Sequence, residues 1–326
     1  GDHIGKPMKL DKFQKKFIIE IYDNPYGTHS AYLSIARKNG KTGLIAAILL
    51  AHLVGPEAVR NSQIVSGAQS KDQAAVVFEL ARKMVEMSPV LAKLARVQPS
   101  GKRLIGLARN VLYRALAAEG KTAHGLSPIL AILDEVGQVE GPTDKFVNAI
   151  TTAQGAYTNP LLIAISTQAP TDADMFSTWI DAQKNAPDPR VVCHVYAAPE
   201  DCKLDDRKAW AAANPALGVF RSLEDIEKQC KKAMALPAFE NEFRNLCLNQ
   251  RVDTSSPFVS RAVWQANGEP PHPIERQKVW GGLDLSSVSD LTALVLVTEG
   301  GDVHPTFWLP SEGLIEKSRK DRVPYD

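Results

Sequence analysis

The chain has 326 residues, of which 44% are hydrophobic and 23% charged, and its formal net charge at pH 7 is +1. This composition is typical of a soluble globular protein, and the length favours two domains over a single core. A net charge so close to zero excludes any argument for nucleic-acid binding from bulk charge, so such a site must be a local basic patch.

Neither export nor membrane insertion is indicated. The first residues lack the apolar segment of a signal peptide, and the longest apolar run, Leu44 to Val54, is interrupted by His52 and too short to span a bilayer. The four cysteines form no CxxC pair. We therefore expect a chain of the cytosol with free thiols and no structural zinc.

Apolar runs alternate with helical patterns from about residue 30 to 170. The strand candidates are Ala31–Ile35, Gln63–Ala68, Val111–Ala117, Ile129–Leu133 and Leu161–Ser166. The helix candidates between them are Thr42–Val54 and Ser70–Met87. Strands apolar on both faces, with helices between, predict an α/β fold whose mostly parallel sheet is covered on both sides. Arg103–Leu107 and Val111–Ala117 are predicted to form a hairpin at the sheet edge.

The first strand runs into a phosphate-loop pattern, Ala-Arg-Lys-Asn-Gly-Lys-Thr, at residues 36–42. Backbone N–H groups at the following helix N-terminus would face phosphate oxygens. Lys41 would reach the β- and γ-phosphates, and the Thr42 hydroxyl would bind Mg²⁺. The usual glycine five residues before Gly40 is replaced by Ile35. A chance Gly-Lys-Thr at a helix start is the alternative reading of these residues alone.

Two later strands also end in polar residues. The strand Ile129–Leu133 ends in Asp134 and Glu135. In P-loop ATPases the first carboxylate of such a pair holds Mg²⁺ and the second polarises the attacking water. The strand Leu161–Ser166 continues into Thr167 and Gln168, so that Ser-Thr-Gln lies where polar groups can sense the γ-phosphate. Loop, acid pair and sensor in this order predict an ATPase.

The second half of the chain changes character. Residues 200–252 are predicted to be mainly helical, and residues 253–278, rich in Pro, Ser and Gly, to be a linker. Three strand-like runs follow, at 279–285, 291–298 and 303–309. Because too few residues follow the linker for a full α/β core, we expect the sequence to stop inside a domain.

These motifs together resemble tailed-phage terminase large subunits. The string at 36–42 is similar to that family's variant phosphate loop, which loses the first glycine and gains an arginine. Phe13-Gln14-Lys15 resembles its adenine-reading segment, and the stretches at 209–215 and 243–249 resemble the helical subdomain that closes its ATPase. The resemblance implies a P-loop ATPase domain over 1–252 with a helical lid at about 200–252, a linker over 253–278, and an RNase H-like nuclease domain beginning at 279–326.

The resemblance also implies a motor that uses ATP and Mg²⁺ to pump double-stranded DNA into a procapsid. The implied partners are the portal protein, a small terminase subunit and further copies in a ring, located in the host cytoplasm and transiently on the procapsid. The catalytic candidates are Lys41, Asp134, Glu135 and Arg37. The nucleotide-binding candidates are Gln14, Arg37, Lys38, Asn39, Gly40, Lys41 and Thr42. The coupling candidates are Ser166, Thr167 and Gln168.

A ring motor of this family needs an arginine that reaches the γ-phosphate of a neighbouring subunit. Arg103, Arg109 and Arg114, in the predicted hairpin, are candidates, and solvated surface arginines are the alternative for each. Asp284 resembles the metal-binding aspartate on the first strand of an RNase H-like nuclease, which uses Mg²⁺ or Mn²⁺. Asp290 is a second candidate, for which a turn residue is the alternative.

Two other functions stay open at this point. A P-loop helicase or remodelling ATPase would carry the same loop and acid pair. A non-catalytic scaffold that binds DNA or the portal would explain the substitution of glycine by Ile35. A P-loop kinase is disfavoured, because no separate acceptor-binding motif is present.

Overall fold

The computed structural model describes residues 7–118, 125–252, 266–286 and 291–314, together with residue 317. The chain divides into two compact units, Gly1–Ser256 and Pro257–Asp326, and each is described by itself.

The first unit is built on an eight-stranded sheet. Its strands are β1 (Ser30–Ile35), β2 (Gln63–Ala68), β3 (Ala95–Gln98), β4 (Arg103–Gly106), β5 (Val111–Ala117), β6 (Pro128–Asp134), β7 (Leu161–Ser166) and β8 (Val191–Tyr196). Their spatial order is β3-β4-β5-β2-β6-β7-β1-β8. The β3–β4 and β4–β5 pairs are antiparallel and the others parallel. The carboxyl ends of β1, β6 and β7 therefore meet at one edge of the sheet.

Helices cover both faces of this sheet. They are α1 (Lys12–Tyr22), α2 (Lys41–Val54), α3 (Lys71–Met87), α4 (Pro89–Leu94), α5 (Lys145–Ala153) and α6 (Met175–Asn185). Every residue of β7 is buried, as expected for a strand with helices above and below it. One apolar cluster joins α1, α2 and α3 to the sheet, and a second joins α5 and α6 to it. Across the described ranges, none of the helices is long and apolar enough to cross a membrane.

A helical subdomain completes the first unit. It consists of α7 (Arg207–Ala213), α8 (Leu223–Ala235) and α9 (Glu240–Leu248). Its apolar core includes Trp210, Ile226 and Phe243, and Ala36 of the phosphate loop packs into the same core. The loop is therefore held between the sheet and the helical subdomain.

The elements agree with the sequence prediction in type and order. The five predicted strands are present, the hairpin at the sheet edge is antiparallel β4–β5, and the mostly parallel sheet confirms the α/β fold class. β3 and β8 were missing from the prediction. β3 has only four residues, and β8 is an edge strand that is mostly half-buried, so neither has a continuous apolar pattern.

The second unit contains a three-stranded antiparallel sheet. Its strands are β9 (Val279–Asp284), β10 (Thr292–Thr298) and β11 (Val303–Trp308), in the order β11-β10-β9. β10 is the central strand, and its register aligns Ala293 with Asp284. β9 is exposed along its whole length. The linker prediction for 253–265 lies outside the described residues.

Candidate functional site

The phosphate loop is a tight turn between β1 and α2. Lys38 and Gly40 both have left-handed backbones, with φ of 65° and 75°. A side chain at Gly40 would be strained by this conformation, and its Cβ would lie 2.9 Å from the Phe220 ring. Ile35 and Ala36 are fully buried. The residue that replaces the usual first glycine is therefore a core residue that fixes the start of the loop.

Lys41 is folded back onto its own loop. Its Nζ donates to the backbone carbonyl oxygen of Ile35 at 2.9 Å, and only 8% of the residue is exposed. Burial lowers the pKa of Lys41, and the negative charges of Glu135 and Asp134 oppose that effect. The ammonium group is therefore within electrostatic reach of the acid pair. An anion bound beside Lys41 would compete with the Ile35 carbonyl oxygen for the ammonium group.

Asn39 holds the loop in shape. Its Nδ2 donates to the Ala36 carbonyl oxygen at 3.1 Å and to Asn214 Oδ1 at 2.9 Å, and its Oδ1 accepts from the Ala216 N–H at 3.2 Å. The side chain is 1% exposed. These contacts occupy the amide group, so the predicted nucleotide contact of Asn39 is left to its backbone N–H.

The acid pair lies at the carboxyl end of β6. Asp134 Oδ1 accepts from the Glu135 N–H at 2.9 Å, and Glu135 itself has a left-handed backbone with φ of 55°. Burial, followed by the charge of Glu135, raises the pKa of Asp134 to about 6. Glu135 Oε2 is buried and has no hydrogen-bond partner among the described residues. An unpaired carboxylate oxygen is costly unless water or a cation binds it.

The end of β7 is hydrogen-bonded to residues 135–137, which follow β6 and are called the acid loop below. The Glu135 N–H donates to the Ile165 carbonyl oxygen, and the Gly137 N–H donates to Ser166 Oγ, both at 2.9 Å. A Cβ on Gly137 would lie 2.3 Å from the Thr167 carbonyl oxygen, so only glycine fits there. Thr167 Oγ1 is buried and unpaired among the described residues. The structure thus brings Ser166 and Thr167 beside Glu135.

Gln168 points the other way, towards the helical subdomain. Its N–H donates to Asn249 Oδ1 at 2.7 Å, and its Oε1 accepts from Arg251 Nε at 3.2 Å. Asn245 Nδ2 donates to the Gln168 carbonyl oxygen at 2.9 Å. The three predicted coupling residues therefore span the distance between the acid loop and the segment after α9.

An open cleft of about 350 Å³ lies over the loop. It is lined by Arg37, Lys38, Gly40, Lys41, Thr42, Gly43, Glu135 and Phe220. Lys38 Nζ forms an ion pair with Asp225 at 3.0 Å, and Arg221 pairs with the same carboxylate. Gln14 is buried, and its Nε2 lies 3.4 Å from the position of a Cβ on Gly40. Most nucleotide-binding candidates thus meet around one cleft.

Three residues at or near the cleft were not sequence candidates. Phe220 lines the cleft, Asn214 holds Asn39, and Asn249 holds Gln168. The sequence offers only weak signals for them: an aromatic in a loop, and an asparagine after each of two helices. Their roles depend on contacts between residues far apart in the chain.

The hairpin arginines lie away from this cleft. Arg109 donates to the Ala58 carbonyl oxygen, and Arg103 stands opposite Arg114 in the β4–β5 ladder. Three strands, β2, β6 and β7, separate β5 from β1. A contact of any of these arginines with the site of a neighbouring copy stays a prediction.

The nuclease candidates lie in the second unit. Asp284 is an exposed residue at the end of β9, whereas Asp290 lies outside the described residues. In the described part of the chain, no three His, Cys, Asp or Glu side chains form a group that could hold a metal ion. A metal site at Asp284 stays a prediction.

Comparisons with known proteins agree on one family. A family model described as the ATPase domain of the terminase large subunit matches residues 12–178, and one for its endonuclease domain matches residues 188–324. The chain is 62% identical over 330 residues to the terminase large subunit of Enterobacteria phage HK97. That alignment covers 100% of this chain and 65% of the relative, so the chain spans about two thirds of the relative's length.

Solved structures give the same result for the fold. The crystal structure of the HK97 large terminase has a TM-score of 0.75 at 61% identity, covering 99% of this chain and 68% of that one. An arginine variant of the ATPase domain of the Thermus phage P74-26 large terminase has a TM-score of 0.55 at 17% identity, covering 77% of this chain and 97% of that one. The second likeness concerns the fold alone.

Proposed function

The chain belongs to the terminase large subunit family, and on that basis we propose that it is an ATP-hydrolysing motor that translocates double-stranded DNA into a viral procapsid. We further propose that it works with the portal protein and a small terminase subunit, as one copy in a ring, in the host cytoplasm and on the procapsid. The DNA substrate and these partners follow from the family.

The observation that carries the proposal is Oε2 of Glu135, which has no partner among the described residues and belongs to a residue on the wall of the cleft that holds Lys41. A buried carboxylate oxygen with an open acceptor site is suited to orient and polarise a water molecule. Lys41 and the backbone N–H groups of the loop are suited to neutralise the charge that develops on the phosphate oxygens.

The residues present fit a magnesium ion. The charge of Lys41 acts on the Asp134 carboxylate, and Thr42 lines the cleft together with Lys41 and Glu135, the neighbour of Asp134. We propose that the side chains of Asp134 and Thr42 would hold Mg²⁺, which would neutralise negative charge on the phosphate oxygens. Arg37, exposed at the cleft, would add a positive charge in cis.

A trans arginine from the hairpin and a nuclease site at Asp284 complete the proposal. Both follow from the family, and the nuclease would use Mg²⁺ or Mn²⁺ with further carboxylates. The domain boundaries we propose are 1–252 for the ATPase, with its lid at about 200–252, 253–278 for the linker and 279–326 for the nuclease part.

The decisive variant is Lys41→Ala. Loss of the ammonium group removes a donor to the developing charge, so DNA-stimulated ATP turnover should fall by at least about a hundredfold. Lys93→Ala, which removes an exposed lysine on α4, is the matched control and should leave turnover unchanged. Full turnover in Lys41→Ala would refute the ATPase assignment.

Glu135→Gln separates binding from hydrolysis. It should lower turnover by about a hundredfold or more while nucleotide binding, measured by calorimetry, is retained. Loss of binding instead would remove Glu135 from the catalytic role. Unwinding of a forked duplex by the wild-type chain would favour a helicase, and absence of any ATP affinity would favour a scaffold.

A further inference from the structure

Phe220 is an aromatic side chain on the wall of the cleft. The residue is 38% exposed, and its ring lies 2.9 Å from the position of a Cβ on Gly40. The other side chains lining the cleft, those of Arg37, Lys38, Lys41, Thr42 and Glu135, are charged or polar. These polar groups suit phosphate, metal and water. Phe220 alone of the cleft-lining residues offers a flat apolar surface.

The position of this ring is tied to the loop. The Phe220 N–H donates to the Ala216 carbonyl oxygen at 3.2 Å, and the Ala216 N–H donates to Asn39 Oδ1 at 3.2 Å. Asn214 Oδ1 accepts from Asn39 Nδ2, and Asp225 pairs with Lys38 at 3.0 Å. Contacts on both sides of Phe220 therefore hold its segment against residues 38 and 39.

Gln14 borders the same side of Gly40 as the ring. Its Nε2 lies 3.4 Å from the same Cβ position, while its Oε1 accepts from the Asp11 N–H at 2.9 Å. The amide NH₂ can thus donate to the edge of a flat ligand, and the ring can contact its face. A nucleobase needs both kinds of contact.

We propose that Phe220 is the stacking platform for the base of the bound nucleotide, so that the helical subdomain supplies part of the nucleotide specificity. The inference rests on the proposed ATPase function. A triphosphate held at Lys41 and Thr42 leaves its base beside the loop, and Phe220 is the aromatic surface there. The base would then connect the helical subdomain to the phosphate loop through the ligand as well as through Asn39.

The test compares ATP with tripolyphosphate, which has the phosphates but no base. Phe220→Ala should weaken ATP binding roughly ten- to a hundredfold, because base–aromatic stacking is lost. Binding of tripolyphosphate, measured by the same calorimetry, should change less than twofold. In steady-state assays KM for ATP should rise with little change in kcat, because the lost contact is equal in ground and transition states.

Two further variants secure the interpretation. Phe220→Trp should retain ATP affinity, and Phe220→Leu, which keeps an apolar side chain without an aromatic face, should lose most of it. Val219→Ala, at the 64% exposed neighbouring residue, is the matched control and should bind both ligands normally. Circular dichroism of each variant checks that the fold is intact.

Equal weakening of ATP and tripolyphosphate, unchanged or tighter ATP binding in Phe220→Ala, or full affinity in Phe220→Leu would overturn the stacking role. None of these results would affect the ATPase assignment, which depends on the loss of ATP turnover in Lys41→Ala. If the wild-type chain binds neither ligand, both proposals fail.

Discussion

Individual residues at the carboxyl edge of the sheet show how the loop departs from the common pattern without losing its shape. Ile35 is fully buried at the end of β1, where the usual glycine would contribute no packing. Asn39 fixes the shape of the loop with hydrogen bonds to Ala36 and to Asn214 of the helical subdomain. The strict motif therefore fails at Ile35 for a reason of packing, and the following left-handed turn is preserved.

Asp134 makes the site sensitive to pH. Its carboxyl titrates near 4 when unfolded, and burial and Glu135 raise its pKa to about 6 in the folded chain. The folded state thus binds this proton more tightly. The resulting stability is present in full below about pH 4 and is lost as the pH rises through about 6.

The proposed binding of Mg²⁺ would require the ionised form of Asp134, so protons and Mg²⁺ would compete there. We expect kcat/KM for ATP to fall as the pH is lowered through about 6, and the midpoint to move to lower pH when the Mg²⁺ concentration is raised. The measurement is a pH profile of turnover at two Mg²⁺ concentrations. A midpoint that does not respond to Mg²⁺ would contradict the assignment of Asp134 as a ligand.

Glu135→Gln supplies the control for this profile. Removing the neighbouring negative charge should lower the pKa of Asp134, because that charge is the second cause of the shift. The pH midpoint for binding of Mg-nucleotide should therefore be lower in Glu135→Gln than in the wild-type chain. An unchanged midpoint would mean that another group controls the profile.

Among the elements, the C-terminal end of α9 joins three strands of the sheet. Asn249 follows this helix with a left-handed backbone, φ 55°, and is fully buried. Its Nδ2 donates to Ser34 Oγ at 3.0 Å and to the Tyr196 carbonyl oxygen at 2.9 Å, and its Oδ1 accepts from Gln168. One side chain thus connects the ends of β1, β8 and β7.

Asn249→Ala should destabilise the first unit by about 2–4 kcal/mol. Several buried polar groups would lose their partner, each at about 1–3 kcal/mol, and alanine is less stable than asparagine in a left-handed backbone. Asn249→Gly should recover only the backbone part, about 1 kcal/mol. The measurement is the free energy of unfolding from urea denaturation.

Asn110 is the matched control, since it is also left-handed, with φ 52°, but exposed. Asn110→Ala should cost about 1 kcal/mol from the backbone, together with the small contribution of an exposed hydrogen bond from Asn110 Nδ2 to Asn61 Oδ1 at 3.0 Å. If Asn249→Ala costs no more than Asn110→Ala, the buried network does not contribute. ATP turnover of Asn249→Ala should also fall, because Gln168 loses its anchor.

The same elements show where prediction from sequence ends. The continuous apolar runs of β1, β6 and β7 and the polar residues at their ends were sufficient to predict the strands, the loop and the acid pair. Asn249 contacts Ser34 across 215 residues, and Asn39 contacts Asn214 across 175. Such contacts leave no periodic pattern in either segment, so they can be identified only from the three-dimensional structure. Phe220 was missed for the same reason.

At the scale of the whole molecule, the chain combines a large α/β unit with a smaller one built on three strands. The nucleotide candidates all belong to the first unit and Asp284 to the second. A ligand that binds only the folded state stabilises the unit that holds it, by about 2.7 kcal/mol at a concentration a hundred times Kd.

We therefore expect MgATP to slow amide hydrogen exchange in the first unit only. Protection should be greatest at residues 36–43 and 134–137 and absent at 279–308, as read by mass spectrometry on the intact chain. Lys41→Ala should abolish the effect. Protection of β9–β11 by MgATP, or its persistence in Lys41→Ala, would show that nucleotide binds elsewhere.

The close packing of Gly137 affects how the acid loop and the end of β7 can move. Its Cα lies so near the Thr167 carbonyl that not even a methyl group fits, and the N–H groups of Glu135 and Gly137 both donate to β7. The two segments cannot slide past each other, so a displacement of Glu135 is also a displacement of Ser166. In the proposed motor, a movement of Glu135 when the γ-phosphate is lost would therefore reach Ser166 in the same step.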